Sequence, residues 1–186
     1  MVIGERTYLL ILAIVAGQRL VEVAISRRHA RRAFAIGGIE AGRRHYNAMV
    51  LLHAAFLASC AAESIFIRRR VGPGLSSAAL VTVLIAQALR YWTIWTLGAR
   101  WNTRVIVTPM LPPVVAGPYK LIRHPNYLAV VMEIAALPLI RANWWTAAVF
   151  SIANAGLLWV RIPIEERAMG TLYGEAFATK RRFVPR

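Results

Sequence analysis

The chain has no aspartate, a single cysteine and only two lysines among its 186 residues. With Cys60 alone it can form no internal disulfide, and it offers no metal-ligand spacing. Because aspartate is absent, all eight acidic residues are glutamates, and each glutamate inside or beside an apolar run is a candidate for a specific task. The 23 basic residues leave a net charge of +15. Nucleic acid is excluded as the reason, because the arginines flank hydrophobic runs and form no basic face interleaved with aromatics. Those runs are what the chain has in quantity: 58% of its residues are hydrophobic and its mean hydropathy is +0.51.

Five apolar segments stand out, Thr7–Ile25, Tyr46–Ile67, Gly74–Leu97, Pro125–Ile140 and Trp144–Val160. The first three match the roughly 20 residues a helix needs to cross a hydrocarbon core. The last two are shorter and are joined by Arg141-Ala-Asn143, with Trp144 and Trp145 placed to anchor the turn at the interface. The expected fold is an all-α integral membrane protein of five transmembrane helices, the last two a short helical hairpin, in one domain over residues 1–186. Residues 1–83 supply lipid-facing spans and residues 84–186 the chemistry. Thr7–Ile25 is too long for a cleaved signal, and too polar at Gln18, Arg19 and Glu22. Ser26–His45, broken at Gly37-Gly38, is expected to lie along the anionic leaflet. Residues 97–116 carry Gly98, Pro109, Pro112 and Pro113 and are expected to be extended or looped. Beyond Val160, the helical spacing of Met169, Leu172, Tyr173, Ala176 and Phe177 predicts a short interfacial helix.

Orientation follows from the arginines. One side of the spans collects Arg27, Arg28, Arg31, Arg32, Arg43 and Arg44, then Arg100, Arg104, Lys120 and Arg123, then the basic residues from Arg161 onward, Arg186 included; the other holds Arg6, Arg68, Arg69, Arg70 and Arg141. The positive-inside rule puts the N-terminus outside and the C-terminus in the cytoplasm. Two polar clusters then share the cytoplasmic side, Gly117–Tyr127 and Arg161–Glu166.

Several residues in and near the spans could carry chemistry. Arg90, mid-span and three residues after Gln87, must face a polar cavity or an anion, or else snorkel to the interface. Glu133 lies among apolar neighbours, either as a proton acceptor or as the structural partner of Arg90, Arg161 or Asn154. Pro125 suits the first position of a helix, leaving free backbone N–H groups beside His124 and Tyr127. Arg161 and Glu165 share a face on a continuous helix, though Pro163 is expected to break it. His29 and His45 read as surface residues, and His53 as a helix-packing one.

The chain resembles the isoprenylcysteine carboxyl methyltransferase family, membrane enzymes that use S-adenosylmethionine. The resemblance is carried by Leu89-Arg90, Leu97-Gly98-Ala-Arg-Trp-Asn102, Gly117-Pro-Tyr119, Arg123-His-Pro-Asn-Tyr127, Arg161-Ile-Pro-Ile-Glu-Glu166, Tyr173-Gly174-Glu175 and the closing Arg182-Phe-Val-Pro185. It spans residues 84 to 186. The resemblance implies that Gly117, Tyr119, His124, Pro125, Tyr127 and Glu166 hold the cofactor, and that Arg90, Arg161 and Glu165 lie near the substrate and the methyl group. The run from Arg123 to Glu133, with Leu137-Pro138 after it, is similar to bacterial relatives that methylate long-chain polyketides such as alkylpyrones or alkylresorcinols.

On that footing the expected activity is O-methylation of a lipophilic acceptor, a long-chain hydroxyl or a prenylcysteine-type carboxylate, at the cytoplasmic face of the (bacterial) cytoplasmic membrane. Arg90 and Arg161 would hold the acceptor oxygen, and Glu133 or Glu165 would remove its proton. The alternatives are a phospholipid amine N-methyltransferase, which shares the paired glutamates, and a non-enzymatic membrane scaffold or small transporter.

Overall fold

The computed structural model describes residues 2–109 and 111–183, with the side chains of Arg44 and Leu172 left aside. Val184 and Pro185 of the closing motif, and Arg186, lie outside the described residues. The helices are α1 (Glu5–Ala35), α2 (Arg43–Ile67), α3 (Pro73–Leu97), α4 (Pro125–Leu139) and α5 (Trp144–Ala176). Two short strands, β1 (Ile39–Ala41) and β2 (Val105–Val107), pair antiparallel with Glu40 opposite Ile106.

Four helices are long and apolar enough to cross a membrane, within Glu5–Ala35, His45–Ile67, Pro73–Arg100 and Trp144–Thr171. The fourth apolar segment of the sequence behaves differently. At 15 residues α4 is about 22 Å long, short of a hydrocarbon core of about 30 Å. It is also the most enclosed helix, packed between α3 and α5 with Ala129, Glu133, Ile134 and Leu137 buried. Most of the exposed apolar side chains lie on the other helices, among them Leu10 and Ile14 on α1, Phe66 on α2 and Ile152 on α5.

The basic connector departs from expectation. Residues 26–35 extend α1 in an unbroken helix of 31 residues, because nothing before Gly37 opposes helix and arginine and alanine favour it. The remainder turns into β1 and is tied to β2. The second departure is in α5. The helix continues through Pro163, flanked by the buried Arg161 and Ile162, and is interrupted at Gly170. Gly170 has φ of 72° and ψ of −165°, a conformation that only glycine adopts cheaply. The expected interfacial helix is therefore the end of α5, redirected at Gly170 so that Tyr173 and Phe177 turn inward and are buried.

Part of the Arg68–Arg70 triplet has a structural task. Arg69 contacts Glu63, and Glu63 accepts the backbone N–H groups of Trp145 and Thr146 at 3.3 and 2.8 Å. A carboxylate from α2 thus caps the start of α5, where free N–H groups and the helix dipole favour negative charge.

Candidate functional site

The loop before α4 is shaped by one close approach. Gly117 has φ of +53°, and a Cβ there would lie 2.3 Å from Thr96 Oγ1 of α3. The backbone therefore sits against α3, and the following 3-10 turn (Gly117–Lys120) presents Tyr119 to the interior. Gly117→Ala should push this turn off α3 and displace Tyr119. The expected result is a drop in melting temperature, measured by thermal unfolding, because a Cβ at this position must shift the turn or the Thr96 side chain; an unchanged melting temperature would show that the turn yields without cost. Pro125 takes the first position of α4, as the sequence predicts.

Glu166 then joins three pieces of chain. It meets His124 Nε2 at 3.0 Å and accepts from Arg182 Nη2 at 2.6 Å and Nε at 3.1 Å. The Glu166 carboxylate pushes the Arg182 guanidinium above its already high ordinary value, so this pair stays charged. Backbone bonds from Arg123 and His124 to the carbonyls of Arg181 and Arg182 lay the C-terminal segment beside the loop. The two polar clusters, far apart in sequence, thus close on one another. Tyr119 and Tyr173 stand close by, and burial, reinforced by the negative charge of Glu165, pushes both phenols up; they remain neutral donors.

One turn into α4, Tyr127 links Arg161 to Glu165. Its hydroxyl accepts from Arg161 Nε at 2.8 Å and donates to Glu165 Oε2, while Arg161 Nη2 donates to the Thr103 carbonyl at 2.7 Å. Arg161 is buried and its guanidinium also lies over the Tyr127 ring. The unbroken helix through Pro163 is what lets Arg161 and Glu165, four apart, reach the same hydroxyl.

Deeper in the bundle lies a second polar station. Glu133 Oε2 accepts from Arg90 Nη2 at 2.8 Å, Arg19 Nη2 at 3.0 Å and Gln87 Nε2 at 3.1 Å. Glu22 pairs with Arg19 at 2.5 Å and lies 3.8 Å from Arg90, and Gln18 donates to Gln87 at 2.8 Å. Two cations and two carboxylates balance, which is how the charges are kept in an apolar setting. Glu133 is six residues past Tyr127, about 9 Å along α4. Arg90 and Arg161 therefore belong to two separate clusters.

Both clusters border one cavity of about 840 Å³. Tyr119, His124, Asn126, Tyr127, Arg161 and Glu165 line its polar end, with Arg19, Glu22 and Arg90 farther in and Leu20, Met49, Val50 and Leu57 of α1 and α2 along its apolar wall. Gly117, Pro125, Glu133 and Glu166 do not line it. The segment after α3 closes one side, with the Ser26 hydroxyl donating to Asn102 at 2.7 Å and His29 meeting the Trp101 carbonyl at 2.8 Å. His29 borders the cavity rather than lying on the surface as expected, while His53, which also borders it, packs within α2 with its ring meeting the Met49 carbonyl at 2.8 Å. Sequence reasoning gave Arg19, Glu22, Trp101 and Thr103 no role; the signal available was the polar run Gln18-Arg19-Leu-Val-Glu22 inside an apolar stretch.

Comparison with known proteins comes to the same region of the chain. Residues 79–171 match the isoprenylcysteine carboxyl methyltransferase (ICMT) family. A protein of Bacillus subtilis (strain 168), YpbQ, described as uncharacterized, is 38% identical over 160 residues, covering 86% of this chain and 95% of the relative. An uncharacterized protein of Haemophilus influenzae is 29% identical over 168 residues, covering 90% and 95%.

Proposed function

Since the chain belongs to the isoprenylcysteine carboxyl methyltransferase family, a family of membrane methyltransferases, we propose that it methylates an oxygen on a long-chain lipophilic acceptor with S-adenosylmethionine as donor. The observation that carries this is one cavity with a polar end at Tyr127, Arg161 and Glu165 and an apolar wall between α1 and α2. Such a shape admits a charged, water-soluble donor and a greasy acceptor to the same place, and about 840 Å³ falls within the ordinary range for small-molecule sites.

The residues present fit the cofactor. Asn126 and Trp101 border the cavity, and each carries a buried polar atom, Oδ1 an acceptor and Nε1 a donor, that has no partner among the described residues. A zwitterion bearing ammonium, hydroxyl and carboxylate groups can satisfy both. His124, Tyr119 and Tyr173 would add polar contacts, with Glu166 holding the His124 ring in place. When bound, S-adenosylmethionine supplies an electrophilic methyl group on a sulfonium centre.

The protein's part is proton removal, alignment and exclusion of water. Arg161 holds the acceptor oxygen and makes its proton easier to lose. Of the two candidate carboxylates we assign proton removal to Glu165, which borders the cavity; Glu133, gripped by Arg19, Arg90 and Gln87, positions Arg90. A carboxylate acceptor would need no base. The positive-inside argument puts this end of the cavity, and the C-terminus, on the cytoplasmic side. Arginines at the site favour an acceptor oxygen over the amine of a phospholipid.

The test is mass spectrometry of membrane lipid extracts incubated with the protein and S-adenosylmethionine labelled in the methyl group. Label on a long-chain hydroxyl or carboxylate is expected. Label on phosphatidylethanolamine instead would transfer the assignment to N-methylation. No heat of binding for S-adenosylmethionine to folded protein would leave a membrane scaffold.

A further inference from the structure

Past the last apolar residue of its run, Ile25, α1 has two working faces. One carries His29, Arg32, Ala33 and Ile36 along the cavity already described. The opposite face carries Ala24, Arg27, Ala30, Arg31 and Phe34, which with Arg104 line a separate concavity of about 490 Å³. Three of its lining residues are arginines, and among the described residues no carboxylate lines it. Arg104 is held from outside, by Glu40 at 3.5 Å and by the Tyr46 ring at 5.1 Å. Arg27 and Arg31 are exposed and have no carboxylate partner among the described residues. They are also four apart on one helix, where like charges repel.

Depth selects the counter-ion. Arg27 and Arg31 lie two and six residues beyond Ile25, about 3 and 9 Å along the helix. That interval matches the headgroup layer, which adds about 5–8 Å to each side of the hydrocarbon core. Ala24 and Ala30 are small and keep the concavity open, and Phe34 stands at its far end. We propose that this concavity binds the phosphodiester of an anionic phospholipid, with Arg27 and Arg31 donating to the phosphate oxygens and the acyl chains descending beside α1. Guanidinium groups suit this geometry because their paired N–H donors match phosphate oxygens. A zwitterionic lipid brings its own cation and is the weaker ligand. Since Arg104 follows Thr103, whose carbonyl accepts from Arg161, a phosphate gripped from both sides would tie α1 to the segment that positions Arg161.

The test is thermal unfolding of the full chain in phosphatidylcholine nanodiscs with and without phosphatidylglycerol, followed by tryptophan fluorescence. Phosphatidylglycerol should raise the melting temperature by about 4–8 °C. The double variant Arg27→Gln/Arg31→Gln should lose at least half of that rise while melting like the wild type in phosphatidylcholine alone. Soluble glycerol phosphate should produce no rise. The proposal is overturned by no rise in the wild type, by an undiminished rise in the double variant, or by glycerol phosphate reproducing the effect, which would mark a free-phosphate site. Should the double variant not fold, native mass spectrometry of the wild type decides: retention of phosphatidylglycerol over phosphatidylcholine supports the site, and equal retention overturns it.

Discussion

Replacing Arg161 by glutamine should lower the turnover of a hydroxyl acceptor by about a hundredfold, the penalty expected when a reacting group is misplaced by about an ångström. Arg161 connects Tyr127 to the Thr103 carbonyl, at 2.8 and 2.7 Å, so its loss slackens the polar end of the cavity on both sides. Its positive charge does not speed the transfer itself, because the oxygen's negative charge shrinks as the new bond forms. On the proposed function the charge would act earlier, by favouring the deprotonated acceptor and fixing where its oxygen sits. The deficit should therefore narrow as pH rises toward the acceptor's own pKa, where the proton leaves without help. Arg161→Lys, which keeps the charge but loses the two-point hold, should fall between. Steady-state rates of methyl transfer from pH 6 to 10 check this; a pH-independent deficit would assign Arg161 to alignment alone, and a loss under tenfold would remove it from the site.

Glu133→Ala should destabilise the protein by about 3–5 kcal/mol, the cost of leaving a buried charge without its partner. At about 2–4 °C per kcal/mol for a chain of this size, the melting temperature should fall on the order of 10 °C. The cause is visible in the cluster: with the carboxylate gone, Arg19 and Arg90 face only Glu22. Adding Arg19→Met should recover much of the loss, because one cation and one carboxylate then remain in balance. Thermal unfolding of the two variants in detergent or nanodiscs supplies the comparison. A Glu133→Ala protein that melts within 2 °C of the wild type but cannot methylate would return Glu133 to the role of proton acceptor.

The two predictions rest on features that the sequence disclosed unequally. Arg161, Glu165 and Tyr127 were legible because the first two lie four apart and the third follows a proline that starts a helix, all of them local patterns. Their convergence depended on Pro163 not ending α5, and a proline in sequence signals a break whatever the neighbouring packing allows. Glu133 and Arg90 were each conspicuous as charges in apolar runs. That Arg19 and Glu22 join them follows from how α1 is rotated against α3 and α4, and no local signal carries that rotation.

Long apolar runs, the arginine asymmetry and the two polar motifs were enough to establish a helical membrane protein and to mark which residues merit attention, because helix length and hydrophobicity are properties of contiguous chain. Tertiary structure alone decided that α4, already short in the sequence, is enclosed by its neighbours, that α1 runs on to meet a two-stranded ribbon, and that Glu166 braces His124 from outside the cavity. These depend on which faces of distant segments meet, and a buried charge finds its partner across the bundle, where spacing along the chain carries no information.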